Sequence, residues 1–358
     1  MKILFDYSIF NHQRLGGISR YFINLDYEIN KTINESKIVA PIHYNSFLKR
    51  YNKYEGKFTN KFPKFTRTIF RFYNNLVTKS VVSTFKPNIF HKTYYNNFWP
   101  KNFKGKKIMT VYDLIHEIYY KDFNFNSNYR PKKDLFSNVD TIIAISNNTK
   151  ADLINFYDIP KDKISVTHLG INLQKIESYT NMIKEPYILF VGERIRYKNF
   201  SNLLISFANS GKINKNFKLV LFGGGNLFKE ELDLIKDNNL DIKKIIQISG
   251  DDQTLASLYK FADLFVFPSK YEGFGLPLLE AASKSCPIAC SDIKVFREIM
   301  GESVQYFDPN STNSISTNLE KVLFSETLKK NLLQNAKKKL MNFSWSKCAN
   351  ETLKIYKN

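Results

Sequence analysis

The feature that most limits how this chain can fold is an alternation. Short apolar runs rich in β-branched residues trade places with longer segments of helical period. In the first half the runs fall at residues 3–5, 37–42, 88–91, 108–111 and 141–145. In the second half they fall at 187–191, 218–222, 245–248, 263–267 and 287–290. Runs apolar throughout suit strands covered on both faces, and strand–helix alternation predicts a parallel, doubly wound sheet. The clearest helical pattern places Ile18, Tyr21, Phe22, Leu25 and Ile29 on one face. Between residues 170 and 186 the alternation breaks, and it restarts at Tyr187. A chain of 358 residues is too long for one ordinary core. The expectation is therefore α/β: two Rossmann-like domains, 1–172 and 173–342, joined near residue 175, with a last helix over 343–358. Ligands of such sheets bind beyond the carboxyl ends of the strands, and two facing domains make the cleft between them the expected site.

Composition excludes several classes. No apolar run reaches the roughly 20 residues of a membrane-spanning helix. The opening Met1-Lys2-Ile3-Leu4-Phe5-Asp6 is too short an apolar stretch for a signal peptide, so a cytoplasmic protein is expected. Three cysteines, Cys286, Cys290 and Cys348, give neither a disulfide framework nor zinc-site spacing, and read as core. The net charge of +20 draws the chain to polyanions, and nucleic acid is one such partner. Between Leu48 and Ser80 nine Lys and Arg meet one acid, Glu55, with eight aromatics interleaved. That mixture suits a peripheral anionic membrane surface; the alternative is a solvated segment whose aromatics partly pack inward.

The richest chemistry lies in Ser269–Ala281. The run before it reads as a buried strand, and Pro277-Leu278-Leu279-Glu280 as the first turn of a helix. Gly273, Phe274, Gly275 and Leu276 thus stand at a helix N-terminus, where backbone N–H groups and the helix dipole favour an anion and glycines permit close approach. Glu272 and Glu280 bracket the turn with carboxylates suited to sugar or ribose hydroxyls. Gly16 and Gly17 open the first helix as a second close-approach site, without the spacing of a dinucleotide fingerprint. Arg194 and Lys198, leaving the strand at 187–191, can stabilise charge on a diphosphate leaving group, with Arg196 an outside candidate. Gly223-Gly224-Gly225 follows another strand, as a nucleotide approach or a plain turn. A carboxylate pair is hard to reconcile with a nucleic-acid backbone, and no Asp-x-Asp motif is present to hold a divalent ion on a diphosphate.

Ser269–Ala281 resembles the Glu-(seven residues)-Glu motif of retaining GT-B glycosyltransferases, in the family that includes bacterial O-antigen and capsule mannosyltransferases. Gly192 to Asn199 resembles its Gly-x-x-x-x-Arg-Lys-Asn motif, with Tyr197 where Arg is commonest. Residues 110–117 resemble its His-Asp…His-Glu pattern, with Tyr112 in place of the first His. The resemblance covers nearly the whole chain and is weakest over about residues 45–85. It implies the GT-B fold, with the last helix crossing back to the first domain, and an enzyme moving a hexose from a nucleotide sugar, GDP-mannose first. The implied acceptor is a surface glycan such as a lipid-linked O-antigen, capsule or lipopolysaccharide intermediate. It implies that Glu272, Arg194, Lys198 and His116 serve catalysis, with Tyr112 and Asp113 as alternatives to His116. Gly16, Gly17, Gly250, Asp251, Gly273, Phe274, Gly275, Leu276 and Glu280 would bind the donor. It implies no metal and no cofactor. A silent nucleotide-sugar-binding subunit is the alternative reading.

Overall fold

A computed structural model describes residues 1–51, 56–96, 98–123, 132–172 and 178–358. The chain forms two compact units. The first comprises Met1–Glu117, Phe125–Gly170 and Phe343–Asn358, and the second Ile118–Asn124 and Ile171–Asn342. The expected junction near residue 175 lies outside the described residues.

The first unit is built on strands β1 (Lys2–Phe5), β2 (Glu35–Ile38), β5 (Ile89–Lys92), β6 (Lys106–Val111), β7 (Thr141–Ala144) and β8 (Ile164–Val166), with a small pair β3 (Ile42–His43) and β4 (Lys57–Phe58) beside them. The six strands lie in the order β2-β1-β5-β6-β7-β8, all parallel. The second unit repeats the plan with β9 (Tyr187–Val191), β10 (Lys218–Phe222), β11 (Ile245–Ile248), β12 (Leu264–Phe267), β13 (Ile288–Ser291) and β14 (Gln305–Phe307). Its order is β11-β10-β9-β12-β13-β14, again all parallel. The central strands β9, β12 and β13 are buried at every residue, which is why they carry no polar alternation.

Two differences from the sequence expectation have local causes. The run at 37–42 is not one strand: Glu35–Ile38 and Ile42–His43 are separate, and Pro41 between them has no N–H for a ladder. The edge strands β8 and β14, three residues each, were too short to read as apolar runs. The helix Gly17–Ile29 buries Tyr21, Phe22, Leu25 and Ile29 as its pattern requires, with Ile18 half-buried at its opening.

The final helix, Trp345–Lys357, is capped by the Ser344 hydroxyl, which accepts from Lys347 N at 3.1 Å. It packs on Gly17–Ile29, with the Trp345 ring 6.2 Å from that of Tyr21. Its Tyr356 hydroxyl lies 2.6 Å from His91 Nδ1, and His91 Nε2 lies 2.9 Å from the Thr110 hydroxyl. Burial pushes the His91 pKa down to about 3, so this link between helix and sheet is made by a neutral ring. Gly170 allows the close approach: a Cβ there would sit 2.3 Å from the backbone nitrogen of Trp345. Cys286, Cys290 and Cys348 are free and buried.

Candidate functional site

In the second unit the chain leaves β9 for β10 and β11 on one side, then returns to place β12 on the other. The loops after β9 and β12 therefore diverge and leave a crevice between their carboxyl ends, the usual ligand position in a doubly wound sheet. Two groups tie these loops together. Lys270 N donates to the Tyr197 carbonyl at 2.8 Å. Lys198 Nζ lies 2.6 Å from Glu272 Oε1, with side chains 17% and 12% exposed. The Lys198 ammonium also lies 5.3 Å from the ring centres of Tyr197 and Phe267. Asn199 holds the turn behind it at φ +58°, its amide donating to the Pro309 carbonyl at 2.7 Å. The sequence thus sends a cation and a carboxylate, 74 residues apart, to one partly covered spot.

The Gly273–Leu276 turn is built as a helix opening. Gly275 has φ +100°, and a Cβ there would meet Leu278 and the Phe296 ring at 3.1 Å, so the position favours glycine on two counts. The helix Leu276–Ser283 begins there with Pro277 in its first turn. Phe274 is buried, so it can offer a ligand its backbone rather than its ring. Glu280 is half-buried on the same helix, near the buried Tyr259; burial first, and then the Glu280 charge, raise that phenol's pKa. Asp251 caps the helix Asp252–Phe261, accepting from Thr254 N at 2.9 Å and from the Thr254 hydroxyl at 3.0 Å. Those bonds hold its carboxyl below the usual range. Gly250 sits where a Cβ would meet the Thr254 side chain at 2.6 Å.

The sequence pointed the Arg194 guanidinium at a diphosphate, beside Lys198. In the structure its side chain is fully buried, with Nε 2.8 Å from Glu231 Oε1. Its terminal nitrogens donate to the carbonyls of Gly223 (3.2 Å), Gly224 (3.3 Å), Gly225 (3.2 Å) and Asn226 (2.7 Å). These contacts engage the guanidinium fork with the protein itself. Glu231, which the sequence reading did not single out, also accepts from Phe228 N at 2.8 Å and so opens the helix Lys229–Asp237. Its signal was a glutamate one turn into the helix that follows a triple glycine.

The first unit has its own switch point, between β1 and β5. A buried polar knot fills it. Asp6 accepts from Thr93 N at 2.7 Å and the Thr93 hydroxyl at 2.6 Å, and also from Ser8 and Asn96. The buried Lys92 donates to Asn96 and stands 4.1 Å from the Trp99 ring centre. Burial pushes its pKa down to about 8, against the pull of Asp6. The sequence signal was Asp6 at the end of an apolar strand. At the neighbouring β6, the alternatives at residues 112–116 separate. Tyr112 is core: its hydroxyl donates to the Thr93 carbonyl at 3.3 Å. Asp113 accepts from Ile115 N at 3.0 Å and opens the short helix Ile115–Ile118. His116 sits on that helix above a buried pair, Glu117 and Lys132 at 2.8 Å, and Tyr157 also donates to Glu117. Burial first, then the Lys132 charge, lower the His116 pKa against the pull of Asp113 and Glu117, so the ring is neutral at pH 7. Gly16 caps the helix that Gly17 begins, and Ser19 N donates to Gln13 Oε1 at 3.4 Å.

The comparisons with known proteins agree with this plan. Residues 174–339 match the family model "Glycosyl transferases group 1", and residues 15–175 match "Glycosyltransferase Family 4". An uncharacterised glycosyltransferase of Methanocaldococcus jannaschii is 30% identical over 60% of this chain and 59% of its own length. The O-antigen chain mannosyltransferase B of Escherichia coli is 24% identical over the full length of both chains. Among solved structures, Anabaena HepE in complex with UDP-glucose has a TM-score of 0.74 at 14% identity, covering 100% of this chain and 99% of that one. The two family models together span residues 15–339, one on each half of the chain, and with two parallel six-stranded sheets they show that the chain is a glycosyltransferase of the GT-B fold, an enzyme.

Proposed function

We propose that this glycosyltransferase moves a hexose from a nucleotide sugar, with retention of anomeric configuration, to a lipid-linked surface glycan at the cytoplasmic face of a membrane. Mannose from GDP-mannose is the first choice. The observation that carries the donor site is the Lys198–Glu272 pair beside the opening of the helix Leu276–Ser283, at the switch point of the second unit. A hydroxyl-rich ring competes for the Glu272 carboxylate, and a diphosphate competes for the Lys198 ammonium. The backbone at Gly273, Phe274, Gly275 and Leu276 adds N–H donors and the helix dipole for the phosphates. Glu280 takes the ribose hydroxyls, and the Gly250–Asp251 loop faces the base. As the bond from sugar to diphosphate breaks, negative charge grows on the departing oxygen. Lys198 and the helix N-terminus stabilise it without a metal, which fits a chain with no Asp-x-Asp motif. From the first unit, Gly16 and Gly17 serve the substrate side. His116, neutral at pH 7, can accept a hydrogen bond from the acceptor hydroxyl. The E. coli mannosyltransferase match supports the choice of sugar, and the UDP-glucose complex of HepE supports a nucleotide-sugar site in this fold.

The membrane part of the proposal rests on the helix Arg67–Phe85, which carries apolar side chains on its outer as well as its inner side. Its buried side carries Asn74, Thr78 and Phe85, with Val77, Val81 and Val82 packed partly buried beside them. Asn74 grips the β3 backbone twice: it accepts from Ile42 N at 3.0 Å and donates to Ile42 O at 2.9 Å. The solvent side shows Ile69 and Phe72, each 64% exposed, and Leu76, 46% exposed, continuing from Phe65 at 96%. Spacings of three and four put Ile69, Phe72 and Leu76 on one stripe of the helix, and Phe65 stands exposed just before it. Lys61, Lys64, Arg67, Arg71 and Lys79 are exposed around it. The basic-aromatic segment thus divides: Tyr51 donates inward to Asp26, Phe62 is buried against Tyr44, and the stripe faces out. Tyr54 lies outside the described residues. Apolar side chains within a basic surround fit an anionic lipid interface. No helix among the described residues is long and apolar enough to cross a membrane.

Three outcomes are expected. Lys198→Ala should lower kcat by about 100-fold or more, with a much smaller change in donor affinity; a variant with unchanged kcat removes Lys198 from the leaving-group role. The pH profile should stay flat down through the ordinary histidine value near 6.5 and fall only below it, because the folded-state pKa of His116 is lowered. His116→Gln should abolish that acid limb, and a limb that persists in the variant assigns it elsewhere. The wild type should float with vesicles containing anionic phospholipid and not with neutral ones. The double variant Phe72→Ser/Leu76→Ser should lose flotation, and retained flotation would place the contact elsewhere.

A further inference from the structure

Arg194 stands four residues before Lys198 on the same loop, yet its guanidinium bonds to Glu231 and to four backbone carbonyls of the protein itself. The loop it grips is unusual. Gly223, Gly224 and Gly225 have φ of +87°, +72° and +68°, three successive left-handed residues that side chains disfavour. Such a run does not hold itself, because no ladder or helix claims its carbonyls. Here one guanidinium collects the carbonyls of Gly223, Gly224, Gly225 and Asn226. Glu231 neutralises the buried cation at 2.8 Å and fixes the start of the next helix through Phe228 N. The loop is also seated on the β9 turn. Gly192 N donates to the Phe222 carbonyl at 2.9 Å, and a Cβ on Gly224 would meet Arg194 Nη1 at 2.6 Å and the Gly192 carbonyl at 3.1 Å. The triple-glycine turn therefore lies at the carboxyl end of β10, next to the β9 side of the switch-point crevice.

We infer that Arg194 and Glu231 are positioning residues: a buried latch that holds the Gly223–Asn226 turn as one wall of the nucleotide pocket, with no contact between the guanidinium and the diphosphate. This rests on the donor-site reading above. A direct phosphate ligand and a latch respond differently to loss of Glu231. Removing that carboxylate would release a guanidinium for a diphosphate, and would loosen a latch.

Binding of GDP and UDP, measured by calorimetry well below each protein's Tm, separates the two. Glu231→Gln, which loses the charge and one of the two acceptor oxygens that serve Arg194 and Phe228 N, should weaken nucleotide binding by about tenfold or more. Arg194→Lys, which keeps the charge and loses the fork, should do the same. The double variant should be no worse than the weaker single variant, because both break one unit. Gly225→Ala has open space for its Cβ but a strained φ, so it disturbs the turn without touching the latch, and should also weaken binding. If both buried variants fail to fold, Gly225→Ala decides: unchanged affinity there overturns the inference. Undiminished or tighter binding by Glu231→Gln, with weaker binding by Arg194→Lys, would return Arg194 to the diphosphate and overturn it. So would lowered Tm with unchanged affinity in all three, which makes the latch structural only. Failure of the wild type to bind either nucleotide would sink the donor-site reading, and this inference with it.

Discussion

Parallel strand order is the constraint on which the other features depend. With every strand in a sheet running the same way, all strand-to-helix turns of a unit open on one edge, and helix N-termini gather there. Where the order reverses, between β9 and β12, the turns part and a crevice remains. The chain then needs only small local devices to make that crevice chemical. Positive-φ glycines let backbone approach, a proline starts a helix, and one cation and one carboxylate meet across the gap. In the first unit the corresponding crevice is filled by the Asp6–Thr93–Asn96 knot, which shapes turns rather than offering open charge.

Burial decides what each charge can do. Lys198 and Glu272 keep 17% and 12% of their side chains exposed, so each can exchange the other for a substrate group at modest cost. Arg194 is fully covered, and separating a buried cation from its partners costs several kcal/mol. Two basic residues in one short loop thus have different settings, one partly exposed at the switch point and one enclosed by protein. The first unit shows the same sorting. Tyr112 is buried in the core with a bond to backbone, Asp113 opens a helix, and His116 is kept neutral by burial and a nearby ammonium.

Much of this was legible in the sequence, for physical reasons that also mark the limits. Strands such as Tyr187–Val191 are buried on both faces and show as unbroken apolar runs; β8 and β14, at sheet edges and three residues long, leave no such trace. The helix opening at Gly275 was readable because glycine and proline have conformational meanings of their own. The fate of Arg194 was not, because its partners lie 29 to 37 residues away and a basic residue in a loop looks the same whether it faces ligand or protein. Which side of Arg67–Phe85 turns inward was hidden for a related reason. Asn74 is buried by its paired bonds to Ile42, and spacing alone cannot say that a polar residue will be the one turned inward.

The central claim is that the second unit binds a nucleotide sugar at the β9–β12 switch point, through its carboxylates and helix opening and without a metal. The most direct measurement is the shift in Tm of the wild type and of Glu280→Ala across a panel of GDP- and UDP-sugars, with and without EDTA. Binding to the native state raises Tm by mass action. The account predicts stabilisation of the wild type by one donor class, unchanged by EDTA and lost or sharply reduced in Glu280→Ala. No stabilisation by any donor, stabilisation abolished by EDTA, or an undiminished shift in the variant would contradict it.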